Sequence, residues 1–328
     1  MSRLDKEPTL TSFGELFLPA EANEPILARA VRGALTEWLT EIWAEDELRA
    51  VGIGPRKRAI FDGPPGVGKT TLAHHLSARL GLPMLAVRPD LLMSKWVHQT
   101  AEQIGQLFEL AKLGLGEDHT PVVLFFDEFD ALARQRRSAQ QSADDGRNED
   151  VDTLLQRIEQ HAGFLIAATN YAGEIDQALW RRFDMHITLE LPGLPERVRI
   201  LARYLAPYGL PKRELAELAA AFETASPALM RSFCEDLKRQ IVIGPMLKSD
   251  MRREAVIERV LASRKPHPDL GLPRLWSLGA ADRAVAMIPW PLPLAAALPA
   301  SAEIVSADAP ATENVVQFGR SPDRKSVV

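Results

Sequence analysis

Residues 59–72 read AIFDGPPGVGKTTL, and this stretch decides the fold. A short apolar run, Ala59 to Phe61, is followed by a glycine-rich turn and then by residues suited to a helix, so the segment predicts strand, loop and helix in succession. Gly63, Gly66 and Gly68 release the backbone from Cβ restrictions, which lets successive N–H groups converge on an anion at a helix N-terminus. Lys69 adds a positive charge for phosphate oxygens, and the Thr70 hydroxyl is a hard oxygen ligand suited to Mg²⁺. The candidate nucleotide-binding set is therefore Gly63, Pro64, Pro65, Gly66, Val67, Gly68, Lys69, Thr70 and Thr71.

Working outward, VVLFFDEFD (122–130) supplies a second half. A fully apolar strand carries Asp127 to the carboxyl edge of a sheet, where ligands of open α/β folds bind, so Asp127 is the second candidate for holding Mg²⁺. Glu128 follows as the candidate that polarises a water for attack on a γ-phosphate. FLIAATN (164–170) is another apolar strand, and its polar tip, Asn170, is placed to orient the same water. The cofactors implied are ATP and Mg²⁺.

Short apolar runs alternate with helical patterns along the same region: AIF then TTLAHHLSARL, MLAV then TAEQIGQLFELAK, VVLFF then ALARQ, VDTLLQRIEQ then FLIAATN, and finally HITLEL. Strands apolar on both faces and separated by amphipathic helices predict an α/β fold, a parallel sheet with helices on both faces. The strand signal stops after ELPGLPERVRI, and helical patterns continue to about residue 262, which predicts a small α-helical lid domain. The expected organisation is an N-terminal linker and helix (1–50), an α/β ATPase domain (51–191), the lid (192–264) and a Pro-rich, partly disordered C-terminal segment (265–328). AQQSADDGRNED (139–150) has no apolar period and reads as a mobile surface loop.

Bulk properties narrow the partners. The chain has 328 residues, 46% hydrophobic and 25% charged, an ordinary soluble composition. Its formal net charge of -5 gives no bulk attraction to a phosphate backbone and disfavours a nucleic-acid partner. A single cysteine, Cys234, excludes an internal disulfide and fits a reducing, cytoplasmic setting. The opening MSRLDKEPTL lacks the apolar core of a signal peptide, and Pro289, Pro291, Pro293 and Pro299 interrupt the apolar run 284–300, so no membrane span is expected. That run reads as a docking or irregular segment.

Taken together, GPPGVGKT (63–70), VVLFFDE (122–128) and ATNYAGEIDQALWRRFD (168–184) resemble the classical AAA group of AAA+ ATPases over residues 53–262. The third stretch, similar to the group's second region of homology, is the most specific. The resemblance implies Mg-dependent hydrolysis of ATP to ADP and phosphate, with Glu128 catalytic and Asn170 as sensor 1. Arg181 and Arg182 become arginine fingers serving the neighbouring subunit, so assembly into a homo-oligomer, six subunits by analogy, is implied as well. LLMSKWVHQTAEQIGQLFELAK (91–112) resembles the pore-loop segment of AAA unfoldases. On that resemblance Lys95, Trp96 and Val97 project into a central channel, where a flat aromatic grips an extended peptide without reading its sequence. His98 departs from the family's usual glycine, and SPALMRSF (226–233) stands in place of its Gly-Ala-Asp helix start.

The expected function is an oligomeric ring that remodels, unfolds or translocates protein clients. Two alternatives stay open: a nucleic-acid motor or loader, and a nucleotide-state switch acting on one partner protein. No H-E-x-x-H occurs, which excludes an attached zinc protease of the FtsH type within these residues, so a separate protease or an adaptor is a possible partner. Arg231 is weighed as a sensor 2 arginine against a solvated helix face, and His74 and His75 are read as structural.

Overall fold

The computed structural model describes residues 9–92, 99–133 and 142–297. Six strands among them, β1 (Gly14–Phe17), β2 (Arg58–Asp62), β3 (Met84–Val87), β4 (Val123–Phe126), β5 (Leu165–Thr169) and β6 (Met185–Thr188), form one sheet. Its order is β1-β3-β4-β5-β2-β6, and every neighbouring pair is parallel except β1 with β3. β4 and β5 are buried along their whole length, as strands covered on both faces must be. At the edge, β6 alternates buried and exposed residues.

The pleat divides the apolar side chains between two layers. Ala59, Phe61, Val123, Phe125, Ile166 and Ala168 face α1 (Arg29–Trp43) and α3 (Lys69–Arg79), where they meet Leu35, Trp38, Leu72 and Leu76. A short α2 (Glu45–Ala50) follows α1. The alternate residues Ile60, Leu124, Phe126, Leu165 and Ala167 pack on the other face. They meet Ile104 and Leu107 of α5 (Gln99–Leu113), Leu154 and Ile158 of α6 (Ser142–Gln160) and Leu179 of α7 (Gln177–Trp180). One turn of helix, α4 (Pro89–Leu92), follows β3.

A second core lies in the lid, built from α8 (Leu194–Leu205), α9 (Lys212–Ala220), α10 (Pro227–Ile243) and α11 (Arg253–Ser263). Residues 265–297 do not stand apart from it. They form two short helices, α12 (Arg274–Leu278) and α13 (Arg283–Met287), and bury Leu275, Val285, Ile288 and Leu292 in the lid core. Trp276 and Trp290 close this seam by donating from Nε1 to the carbonyls of Arg264 (2.8 Å) and Met251 (2.7 Å).

Three local readings change. Residues 142–150 are helical, the first turns of α6, although their composition reads as a loop; a helix anchored by Val151, Leu154 and Ile158 extends through polar residues at little cost once nucleated. Ala131 to Ala133, read as the start of a helix, instead complete a single 3₁₀ turn over Phe129–Ala131. Residues 14–17, read as linker, pair with β3 as an edge strand. From there the chain crosses the back of α3, where the Leu18 carbonyl meets buried His74 Nε2 at 2.8 Å, and reaches the lid, where Arg203 and Arg199 donate to the carbonyls of Glu24 and Leu27. His74 is thus structural, as its sequence context suggests.

Candidate nucleotide site

Parallel pairing brings the ends of three strands to one edge. Asp62 is the register partner of Thr169, so Gly63 and Asn170 leave their strands side by side, and Phe126 is that of Ala167, so Asp127 leaves β4 level with Ala168 at the same edge. Between β2 and α3 the loop turns through positive φ at Gly63 (147°), Gly66 (78°) and Gly68 (101°). Gly63 must lack a side chain, because a Cβ there would lie 2.1 Å from the Leu189 carbonyl oxygen.

Lys69 opens α3 and folds back over this loop. Its Nζ donates to the carbonyls of Gly63 (2.7 Å) and Pro64 (3.0 Å) and to Asn170 Oδ1 (2.6 Å). Only 7% of Lys69 is exposed. Desolvation pushes its ammonium below the ordinary lysine range, opposed by the charges of Asp127, Asp130 and Asp62. A cation held this way, with its donors on loop carbonyls, is poised to exchange those bonds for phosphate oxygens.

Thr70 Oγ1 donates to Asp127 Oδ2 at 2.7 Å, and Asp127 Oδ1 accepts the Glu128 N–H at 3.0 Å. Glu128 adopts a left-handed conformation (φ 48°, ψ 44°) and is exposed. For a non-glycine residue this is uncommon, and such backbones persist where surrounding contacts over-determine them. The Thr70 and Asp127 oxygens fit Mg²⁺, a hard cation that prefers one or two protein oxygens beside phosphate and water. Val67, Pro64, Pro65 and Thr71 complete the loop and the start of its helix.

Arg181 and Arg182 do not join this cluster. Both are exposed at the end of α7, and Arg182 pairs with Glu159 of α6 at 2.5 Å. Arg231 pairs with Glu235 on its own helix (2.7 Å) and lies over the Tyr204 ring, which places it on the solvated face. Lys95, Trp96 and Val97 lie outside the described residues.

Two contacts escape the sequence reading, Ala228 with Gly66 and Thr169 with Asp130. The Ala228 N–H donates to the Gly66 carbonyl (3.1 Å), which joins the lid to the phosphate loop. Beside the first of these, Ser226 caps α10 by accepting from Leu229 N, with Pro227 in the first turn, so SPALMRSF starts a helix as an N-cap serine followed by proline leads one to expect. Asp130, buried, accepts from Thr169 Oγ1 at 2.7 Å. Nothing in spacing alone marks that pair, although the second acid of DEFD was the available signal.

Residues 59–191 match the family model for the ATPase family associated with various cellular activities (AAA). An uncharacterized AAA family ATPase of Sinorhizobium fredii is 41% identical over 176 residues, 52% of this chain and 50% of that protein, so the chain spans about half the length of that relative. The proteasome-activating nucleotidase of Thermococcus onnurineus is 30% identical over 286 residues, 80% of this chain and 67% of that protein. A chloroplastic ATP-dependent zinc metalloprotease, FTSH 1 of Arabidopsis thaliana, is 33% identical over 162 residues, 48% of this chain and 22% of that protein. Among solved structures the FIGL-1 AAA domain shares the fold, with a TM-score of 0.55 at 23% identity, over 70% of this chain and 74% of that one. By its phosphate loop, its sheet order and these relatives, the chain belongs to the AAA family of nucleotide-binding ATPases.

Proposed function

We propose that the chain hydrolyses ATP at the Lys69–Asp127–Asn170 edge and, as a homo-oligomeric ring, uses that turnover to remodel protein clients. The observation that carries the hydrolytic part is the position of Lys69, bonded at once to the loop carbonyl of Gly63 and to Asn170 Oδ1. Phosphates entering the loop draw Lys69 toward β and γ oxygens and leave the Asn170 amide free to hold a water.

Thr70 and Asp127 would hold Mg²⁺, which when bound neutralises charge on the phosphate oxygens. Glu128 takes the proton as the attacking water oxygen bonds to the γ-phosphorus and the bond to the β–γ bridging oxygen breaks. Arg181 and Arg182, exposed at the end of α7, are offered to a neighbouring subunit, where an arginine stabilises charge on the transferring phosphoryl group.

Protein clients are favoured over nucleic acid by the net charge of -5 and by the Lys95-Trp96-Val97 sequence directly before α5. The relatives named as a proteasome-activating nucleotidase and an ATP-dependent metalloprotease support the same direction. Glu128→Gln tests the reading, since it keeps the geometry but removes the base. Turnover is expected to fall at least about 100-fold with ATP binding retained, and protein is expected to co-purify with the trapped chain. Recovery of DNA or RNA, or unchanged turnover, refutes it.

A further inference from the structure

Asp130 and Thr169 form a buried pair that the hydrolytic step just described does not use. Asp130 sits on the 3₁₀ turn Phe129–Ala131, one residue past Phe129 and two past Glu128, and is 8% exposed. Thr169 is the last residue of β5, fully buried, and immediately precedes Asn170. We propose that Asp130 is a positioning residue that fixes Glu128 and Asn170 relative to one another through the Thr169 hydroxyl.

The geometry is specific on both sides. Thr169 Oγ1 donates to Asp130 Oδ1 at 2.7 Å and accepts the Tyr171 N–H at 3.0 Å. The hydroxyl therefore has its one proton on Asp130 and a lone pair on the peptide beyond Asn170. Asn170 is spanned by this bridge, from the residue before it to the residue after it. Its side chain can then meet Lys69 Nζ at 2.6 Å without a free choice of backbone conformation.

On the other strand the chain reverses at Glu128. Phe126 is in register with Ala167, so a chain continuing straight would carry Asp130 past the sheet edge. The left-handed Glu128 and the Ala131 N–H bond to the Glu128 carbonyl (2.8 Å) turn it back until Asp130 reaches Thr169. The bond that closes this turn holds the unusual φ of Glu128, and with it the direction of the carboxylate that takes the proton. Loss of the bond frees two groups whose mutual placement sets the rate, while the loop and Lys69 that bind phosphate keep their own contacts.

The proposal rests on the hydrolytic reading of the site, and its test separates the two. Steady-state kinetics and fluorescent-nucleotide binding are measured on the full chain and on Thr169→Val, Thr169→Ser, Asp130→Ala and the Asp130→Ala/Thr169→Val double variant. Valine matches threonine in shape without the hydroxyl, and serine restores the hydroxyl. A positioning role predicts that Thr169→Val lowers kcat by about tenfold or more with nucleotide Kd changed less than about threefold, and that Thr169→Ser recovers most of kcat. The double variant should be no slower than the slower single one, because both remove one bond. A Thr169→Val enzyme with wild-type kcat, or losses that multiply in the double variant, overturns the proposal. Should Thr169→Val fail to fold, Asp130→Asn, which keeps the acceptor oxygen, is set against Asp130→Ala, and equal kcat in that pair is the refuting result. A wild-type chain that turns over ATP no faster than Glu128→Gln would instead refute the hydrolytic reading, independently of how the Thr169 variants rank.

Discussion

The backbone N–H of Ala228, in the first turn of the lid helix α10, donates to the carbonyl of Gly66 at the crest of the phosphate loop, 3.1 Å away. Lid and phosphate loop are thus joined by a peptide-to-peptide bond, with Ser226 and Ala228 beside the glycine. A movement of the loop at Gly66 therefore strains or breaks a contact with α10.

Gly66→Ala tests this joint. The residue holds φ at 78°, and an added Cβ would stand 2.9 Å from Ser226 Oγ and 3.0 Å from the Ala228 Cβ. Either the loop leaves its left-handed turn or the lid moves away. The expected result is a stability loss of about 1–3 kcal/mol in chemical denaturation, with nucleotide affinity weakened at least about tenfold. Unchanged affinity in a folded Gly66→Ala chain would show that lid contact and nucleotide binding are independent.

The clustering of Gly63, Lys69, Thr70, Asp127 and Asn170 was legible in the sequence because most of its pattern is local. Loop, lysine, threonine and helix are contiguous, and the apolar strands before Asp127 and Asn170 carry their own burial signal. Asp130 was not legible as a partner of Thr169, since that contact depends on the reversal at Glu128, and a left-handed acidic residue leaves no mark in a hydrophobic pattern. β1 was hidden for a different reason. Its four residues, GELF, hold one glycine and one charge, and an edge strand paired on one side needs no apolar period. The C-terminal prolines misled in the opposite sense: they break helices into short pieces, yet Leu275, Val285 and Ile288 between them still find a core.

Cys234 offers a probe of lid opening. It lies fully buried in the lid core, and burial pushes its thiol up from 9.0 to about 12. The protonated form is therefore retained by the folded lid at a pH where the unfolded chain has lost it. By linkage this contribution to stability is fully present below about pH 9 and is lost as pH rises toward 12. At pH 8 the native thiol should react with iodoacetamide at least about 100-fold more slowly than in denaturant. Rapid labelling of the native chain without loss of helical signal would show that the lid opens on its own.

Arg181 and Arg182 give the sharpest separation of stability from activity. The bond between Arg182 and Glu159 spans side chains that are 42% and 46% exposed, and exposed pairs of this kind contribute about 0–1 kcal/mol. Arg181 is exposed at the end of α7, a helix already capped from the other end by Asp176, whose carboxylate accepts the N–H groups of Ala178 and Leu179. Neither arginine is needed to hold the fold, so Arg181→Ala and Arg182→Ala should each leave the melting temperature within a few degrees of the parent. Arginines supplied across a subunit seam would make turnover fall by about 10³-fold in the double variant. Mixing that variant with Glu128→Gln should then restore activity, because a seam between the two kinds of subunit can pair an intact Glu128 with intact arginines. If the mixture stays inactive while both variants assemble with wild-type chain, Arg181 and Arg182 act within their own subunit and the shared-seam mechanism is wrong.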